Sequence, residues 1–336
     1  MASQSLKSRG PNLIVGLVVA GTFGLLYVSY DPIPAGAAPT SEADRVAEAV
    51  AEFIVPLPPE VPELVASADD SSEPDETDAK SSTIETDQPV ASLSGQLTND
   101  ELIEYSMLLL RDGGNYLKSF DTYTATFHKQ ERLGGDLSEV QMIDIKIRQH
   151  DQFAVYMKWR NGDRGRQLLY STEYEDGDMV VKLGGFKGRL LPGIKVSPHG
   201  SMARDEARHP VTQAGICGML DQMIEYREQE LKRGHGIDCQ RLPNQTFDDR
   251  ECLCFLYQYE QPGISGGYRK SLILIDGDRH IPVMARNYTW ATEADDLSPA
   301  GLDELTLVEN YSFTNIDFSR KLTASDFSRD NPRYRM

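Results

Sequence analysis

No Cys-x-x-Cys, His-x-His or His-Glu-x-x-His spacing occurs in this 336-residue chain, so a zinc site has no local support. A Gly-x-x-x-x-Gly-Lys phosphate loop is also missing, which removes the usual nucleotide cradle. Cysteine is scarce: Cys217, Cys239, Cys252 and Cys254 all fall in the second half, and none follows the N-terminal apolar run closely enough for a lipoprotein-type modification. Basic residues are outnumbered, 34 against 52 acidic, for a net charge of −18, and no basic patch stands out. Nucleic acid is therefore excluded as a natural partner. No internal repeat is visible.

A single long hydrophobic run is present. Lys7 and Arg9 precede an uncharged stretch from Gly10 to Tyr30, and Asp31 ends it. Its apolar centre, Leu13 to Tyr30, is near the minimum that crosses a hydrocarbon layer of roughly 30 Å. Positive residues before it and acidic ones after it place the N-terminus in the cytoplasm and the remainder outside. Residues 1–30 are expected to be a retained anchor in the cytoplasmic membrane, single-pass with the N-terminus inside, or an export signal cut near Ala35-Gly36-Ala37 and releasing the rest to the periplasm.

The stretch 31–97 holds 15 acidic residues against Arg45 and Lys80, with many Pro, Ser, Thr and Ala. Low hydrophobicity and high net charge leave too little apolar area to offset chain entropy, so it reads as a disordered acidic linker. The folded part, 98–330, is followed by a short tail, 331–336, within an irregular polar end from Ser325, and residues 98–336 together retain a net charge of −7.

Thr98-Asn99-Asp100-Glu101 is a capping box, followed by Leu102, Tyr105 and Leu109 at helical spacing. Asp112-Gly113-Gly114 is expected to end or interrupt this helix. Period-two alternation then runs through Tyr123-Ala125-Phe127, Ile143-Ile145-Ile147 and Phe153-Val155-Met157-Trp159, with turn signals at Gly134-Gly135, Asn161-Gly162 and Asp176-Gly177. One long helix starts near Pro210 or Thr212, carries Ile216, Met219, Leu220, Met223, Ile224 and Leu231, and closes at Gly234. Strands resume at Cys252–Tyr259, Ser271–Ile275, Val283–Trp290 and Leu307–Phe318. The fold class read from these elements is mainly antiparallel β (α+β), with one long helix and an N-terminal helix.

No catalytic constellation is identified, and no cofactor or metal is implied. Gly184-Gly185 and Gly266-Gly267 read as loop glycines. His209, before Pro210 at a helix entrance, reads as a helix-start hydrogen-bonding group or as a functional histidine. Glu131, Lys146 and Arg148 on adjacent strands form an ion-pair ladder on a solvated face, or a charged rim for a partner or anionic head group. Phe127, Phe153, Val155, Met157 and Trp159, together with Met219 and Met223, form either a filled core or the wall of an apolar cavity able to hold an acyl chain. In the exported compartment Cys239 is expected to pair with Cys252 or Cys254 across neighbouring strands, or the four stay as small buried hydrophobes.

The segments Tyr123 to Glu131 (YTATFHKQE), Ile145 to Arg148 (IKIR), Phe153 to Trp159 (FAVYMKW) and Gly165-Arg166 resemble the DUF1571 family of uncharacterised bacterial proteins. So do His209 to Gly215 (HPVTQAG), Tyr311-Ser312-Phe313 and Asp326-Phe327, over roughly residues 100–330 in all. That family carries no established activity. More distantly, the order of elements is similar to the outer-membrane lipoprotein carrier fold (LolA-like, shared with LolB and RseB), an incomplete antiparallel barrel with helices over its open side. Lys158 and Trp159 fall near the carrier's aromatic pair. The resemblance implies a non-catalytic envelope protein that binds a lipid or the acyl chain of a lipoprotein in a half-barrel cavity. The alternative is a membrane-tethered regulatory or scaffolding module with a filled core that contacts other envelope proteins.

Overall fold

The computed structural model describes residues 97–292, 297–334 and 336. The expected anchor or export segment and the acidic linker lie outside them. Among the described residues, no helix is long and apolar enough to cross a membrane.

Helix α1 (Asn99–Leu117) begins as its residues dictate: the Thr98 hydroxyl accepts from the Glu101 N–H, and the Glu101 carboxylate accepts from the Thr98 N–H at 2.7 Å. Such reciprocal capping contributes about 1 kcal/mol. The helix runs through Asp112-Gly113-Gly114 to Leu117, where an end or an interruption is expected from the sequence. Those glycines are there for a close approach. A Cβ on Gly113 would lie 2.2 Å from the His280 carbonyl oxygen, so only glycine lets the helix cross that backbone.

Twelve strands follow among the described residues, and all pair antiparallel: β1 (Thr122–Leu133), β2 (Asp136–Leu137), β3 (Gln141–Arg148), β4 (Ala154–Trp159), β5 (Gln167–Ser171), β6 (Met179–Lys182), β7 (Ile194–Val196), β8 (Ile237–Phe247), β9 (Arg250–Tyr259), β10 (Lys270–Asp276), β11 (Pro282–Tyr288) and β12 (Leu307–Asp317). The spatial order is β7-β6-β5-β4-β3-β1-β12-β11-β10-β9-β8, with β2 beside β1. The two ends do not meet, so the sheet is a curved, incomplete barrel. Register shifts in β1–β12, β11–β12, β10–β11 and β8–β9 supply local bends. At the open β8 edge, the Asn99 side-chain amide donates to the Ile237 carbonyl and accepts from the Cys239 N–H, standing in for a missing strand.

Between β7 and β8 lie the short helix α2 (Ser201–Glu206) and the long helix α3 (Gly215–Arg233), which packs on α1. Helix α3 closes on Gly234 in the left-handed region, φ 67°. Its buried stripe is Ile216, Leu220 and Met223, and the same spacing continues into Arg227 and Glu230. These two are themselves buried: Arg227 lies over the Tyr257 ring at 3.6 Å and bonds Glu230 at 2.5 Å, and Glu230 also accepts from Tyr259 and Ser265. A buried pair of this kind tolerates no loss of one partner, because the remaining charge would be stranded.

The β3 alternation behaves as its pattern demands. Ile143, Ile145 and Ile147 are buried on the concave side, and Asp144, Lys146 and Arg148 take the other face. That outer face is covered by the C-terminus. Tyr334 stacks on Tyr156 with ring centroids 3.9 Å apart, Phe327 is buried, and Arg329 grips Asp176 with two bonds of 2.9 Å while lying over Tyr174. The end expected to be irregular is thus a docked strap, held by aromatic rings spaced along a polar sequence.

The expected disulfide does not form, and all four cysteines are free. The β8–β9 register sets Cys239 opposite Tyr257 and Cys254 opposite Leu242, so no two of these thiols face each other across the strands. Burial pushes the thiols of Cys239, Cys252 and Cys254 up to about 12.

Candidate functional site

A cavity of about 340 Å³ opens between the concave face of β1, β3–β6 and β12 and the cover formed by α2, the 207–214 segment and α3. The sheet contributes Phe127, Met157, Trp159, Leu168 and Val181, and α3 contributes Met219. Glycine sets the depth at which α3 sits. Gly215 has φ +94°, and a Cβ there would lie 2.6 Å from the Tyr123 hydroxyl. That hydroxyl instead accepts the Ile216 N–H at 2.8 Å and satisfies one free donor of the helix start.

One end of the cavity is polar. Glu309 is buried and accepts five bonds: Tyr268 and Asn287 on Oε1 at 2.6 Å each, and Arg208 Nε at 2.8 Å, His209 Nε2 at 3.1 Å and, more weakly, the Tyr311 hydroxyl at 3.4 Å on Oε2. Glu131 stands directly opposite it across β1–β12 and accepts from the Tyr311 hydroxyl at 2.5 Å, from Lys129 at 3.0 Å and from the Arg208 N–H. Burial alone would raise the Glu309 carboxyl. The hydrogen bonds and charge of His209, with the bonds from Tyr268 and Asn287, overcome this and hold it down at about 2. Burial pushes the Tyr268 and Tyr311 hydroxyls up, and the neighbouring carboxylates add to it. The cavity therefore has apolar walls and a fixed, charged end.

The residues singled out in the sequence separate into three groups. Phe127, Met157, Trp159 and Met219 line this cavity, and so does Glu131. Phe153 lines a different hollow beside Gln149 and Cys217, while Val155 and Met223 are buried core. Lys146 and Arg148 sit on the opposite face of the sheet, Lys146 with Asp326 at 2.6 Å and Arg148 with Glu173. The expected ladder of Glu131, Lys146 and Arg148 is therefore not formed. Register explains it: Phe127 pairs with Ile143 and Thr124 with Lys146. Glu131 shares the parity of Phe127, whereas Lys146 and Arg148 have the parity of the outer face.

Sequence reasoning missed Glu309, Tyr268 and Asn287. One signal was available, because Glu309 lies two and four residues before Tyr311 and Phe313, on the same buried face of β12. It also passed over Gly263-Ile264-Ser265-Gly266-Gly267, whose spacing matches the nucleophile elbow of hydrolases. Ser265 does have positive φ, 41°, but it occupies the turn between antiparallel β9 and β10 rather than a strand-to-helix turn. It is buried and donates to Glu230 at 2.6 Å, so it braces the Arg227–Glu230 pair.

A family model described as "Protein of unknown function (DUF1571)" matches residues 120–336, more than half of the chain. This chain belongs to the DUF1571 family. The match takes in the cavity strands, the cover and the C-terminal strap of this DUF1571 protein. No curated protein matches it. Among solved structures, it is similar to a putative outer membrane lipoprotein-sorting protein domain from Vibrio parahaemolyticus, with 12% identity, 70% of this chain and 100% of that one covered, and a TM-score of 0.32. A LolA superfamily protein from Nitrosomonas europaea gives 12% identity, 67% and 98% coverage and a TM-score of 0.28. Lipoprotein LppX from Mycobacterium tuberculosis gives 11%, 66%, 99% and 0.37. These likenesses are weak ones of general strand arrangement, and function has to be argued from the cavity.

Proposed function

We propose that this DUF1571 protein binds a lipid or an acylated ligand, without catalysis, on the outer side of the cytoplasmic membrane. The observation that supports this is the cavity of about 340 Å³ with apolar walls and one charged end, a shape suited to an acyl chain with a polar head. Phe127, Met157, Trp159 and Met219 would hold the chain, by burial worth roughly 0.8 kcal/mol per methylene. Lys129, Arg208 and His209, already fixed by Glu131 and Glu309, would meet the head group. Residues 1–30 would serve as anchor or export signal. A retained anchor, with the acidic linker behaving as a coil, would keep the domain within roughly 40–50 Å of the membrane.

The test is extraction of the purified protein and identification of bound lipid by mass spectrometry, with titration of a fluorescent fatty acid. Met219→Trp fills the wall. Displacing two methylenes should weaken uptake about tenfold while circular dichroism stays unchanged. A folded protein that yields no lipid and takes up no fatty acid sinks the reading.

A further inference from the structure

Residues 179–204, from β6 through β7 into α2, carry Lys182, Lys187, Arg189, Lys195 and Arg204 and no acidic residue, in a chain whose net charge is −18. Six of the eleven large apolar side chains exposed among the described residues also fall here: Leu183 (36%), Phe186 (74%), Leu190 (68%), Leu191 (50%), Ile194 (45%) and Met202 (56%). Exposed apolar side chains scattered singly are ordinary, but six within one short stretch form a patch that marks an interaction surface. A helical turn at Lys187–Leu190 and the short edge strand β7 present them. Leu183, Ile194 and Met202 line the cavity as well, so the patch is continuous with the cavity mouth.

We propose that this face docks on an anionic lipid bilayer, with the cavity mouth turned toward the acyl region. Phenylalanine, leucine, isoleucine and methionine interspersed with lysine and arginine is the composition that settles at a head-group boundary, where apolar side chains enter the interface and cations meet lipid phosphates. The charge pattern selects the occupant. Elsewhere the protein is acidic and would be repelled by an anionic surface, so the basic stretch orients it. Lys195 reaches Asp176 at 2.7 Å at the base of this face but remains 60% exposed on its side chain. Docking here does not require the cavity to hold a lipid, so it stands apart from the reading above.

The full chain, reconstituted into vesicles, carries Phe186→Trp as a reporter, with the unsubstituted chain as the background from Trp159 and Trp290. Vesicles are made of phosphatidylcholine alone or with phosphatidylglycerol, each including brominated phosphatidylcholine as quencher. The indole introduced by Phe186→Trp should be quenched and blue-shifted in the anionic vesicles and far less so in the zwitterionic ones. Each Lys or Arg held near the surface strengthens docking about fivefold, so Lys195→Gln with Arg204→Gln, both exposed, should weaken it about 25-fold. Leu190→Asp with Leu191→Asp should abolish the quenching while circular dichroism and the urea-unfolding midpoint stay those of the parent. An indole equally unquenched in both kinds of vesicle overturns the proposal, as does quenching that ignores lipid charge, and capture of a protein at this patch without quenching assigns it to a protein interface instead.

Discussion

Replacing Glu309 with Gln should destabilise the protein by about 3 kcal/mol at neutral pH, and the loss should fade in acid. The magnitude follows from the carboxyl's depression from 4.5 to about 2, roughly two and a half units at 1.36 kcal/mol each. Five donors converge on its two oxygens, and the glutamine amide would aim an N–H at one set of them, either Tyr268 with Asn287 or Arg208 and His209 with Tyr311. The sign is that of a carboxylate with a lowered folded value. Its contribution is complete above the unfolded value near 4.5 and is lost as pH falls through 4.5 toward 2, because the unfolded chain takes up the proton first. Urea unfolding of parent and Glu309→Gln at a series of pH values measures it. With a slope of about 2–3 kcal/mol/M, the midpoint at neutral pH should drop by about 1 M or more, and the gap should narrow steadily below pH 4.5. Equal midpoints at neutral pH, or a gap that does not change between neutral and acid, would refute the argument that this network holds the charged form.

Two further substitutions probe the fold around the site. Gly113→Ala should cost about 1–3 kcal/mol in thermal or urea unfolding, despite alanine's better helix propensity, because the new methyl meets the His280 carbonyl at 2.2 Å. Unchanged stability would mean that α1 can move away from the β10–β11 turn at no cost. Tyr334→Ala should remove the ring stacked on Tyr156 and the bond to Lys146, costing about 2–3 kcal/mol and making the C-terminus sensitive to protease under native conditions. Protease resistance equal to the parent would show the strap to be held by Phe327 and Arg329 alone.

Much of the architecture can be read from single residues. The Thr98–Glu101 box, the Ile143-Ile145-Ile147 alternation and the Gly234 terminator each express a local rule that needs no distant partner, and the structure follows all three. The candidate wall was legible in part. Phe127, Met157 and Trp159 reach the cavity on strand parity, but whether an apolar side chain faces a void or a neighbour depends on the α3 position, and Met223 and Val155 fall on the filled side. Parity was also sufficient to place Glu131 inside; grouping it with Lys146 and Arg148 by charge sent it to the wrong face.

Local pattern, strand parity and helix termini are properties of consecutive residues, and for them the chain's own order is enough. The antiparallel character, the long helix and the apolar run at residues 13–30 belong to this class. What tertiary structure alone decided is every contact between distant segments. Glu131 and Glu309 meet because β1 pairs with β12 across 178 positions of chain, and Arg208 reaches both from the cover. Arg227 and Glu230 occupy an apolar stripe because Tyr257, Tyr259 and Ser265 are waiting there to satisfy them. Position 113 is a glycine inside a helix because the His280 carbonyl passes alongside. In each case the deciding energy is desolvation or steric approach, which no window of neighbouring residues contains.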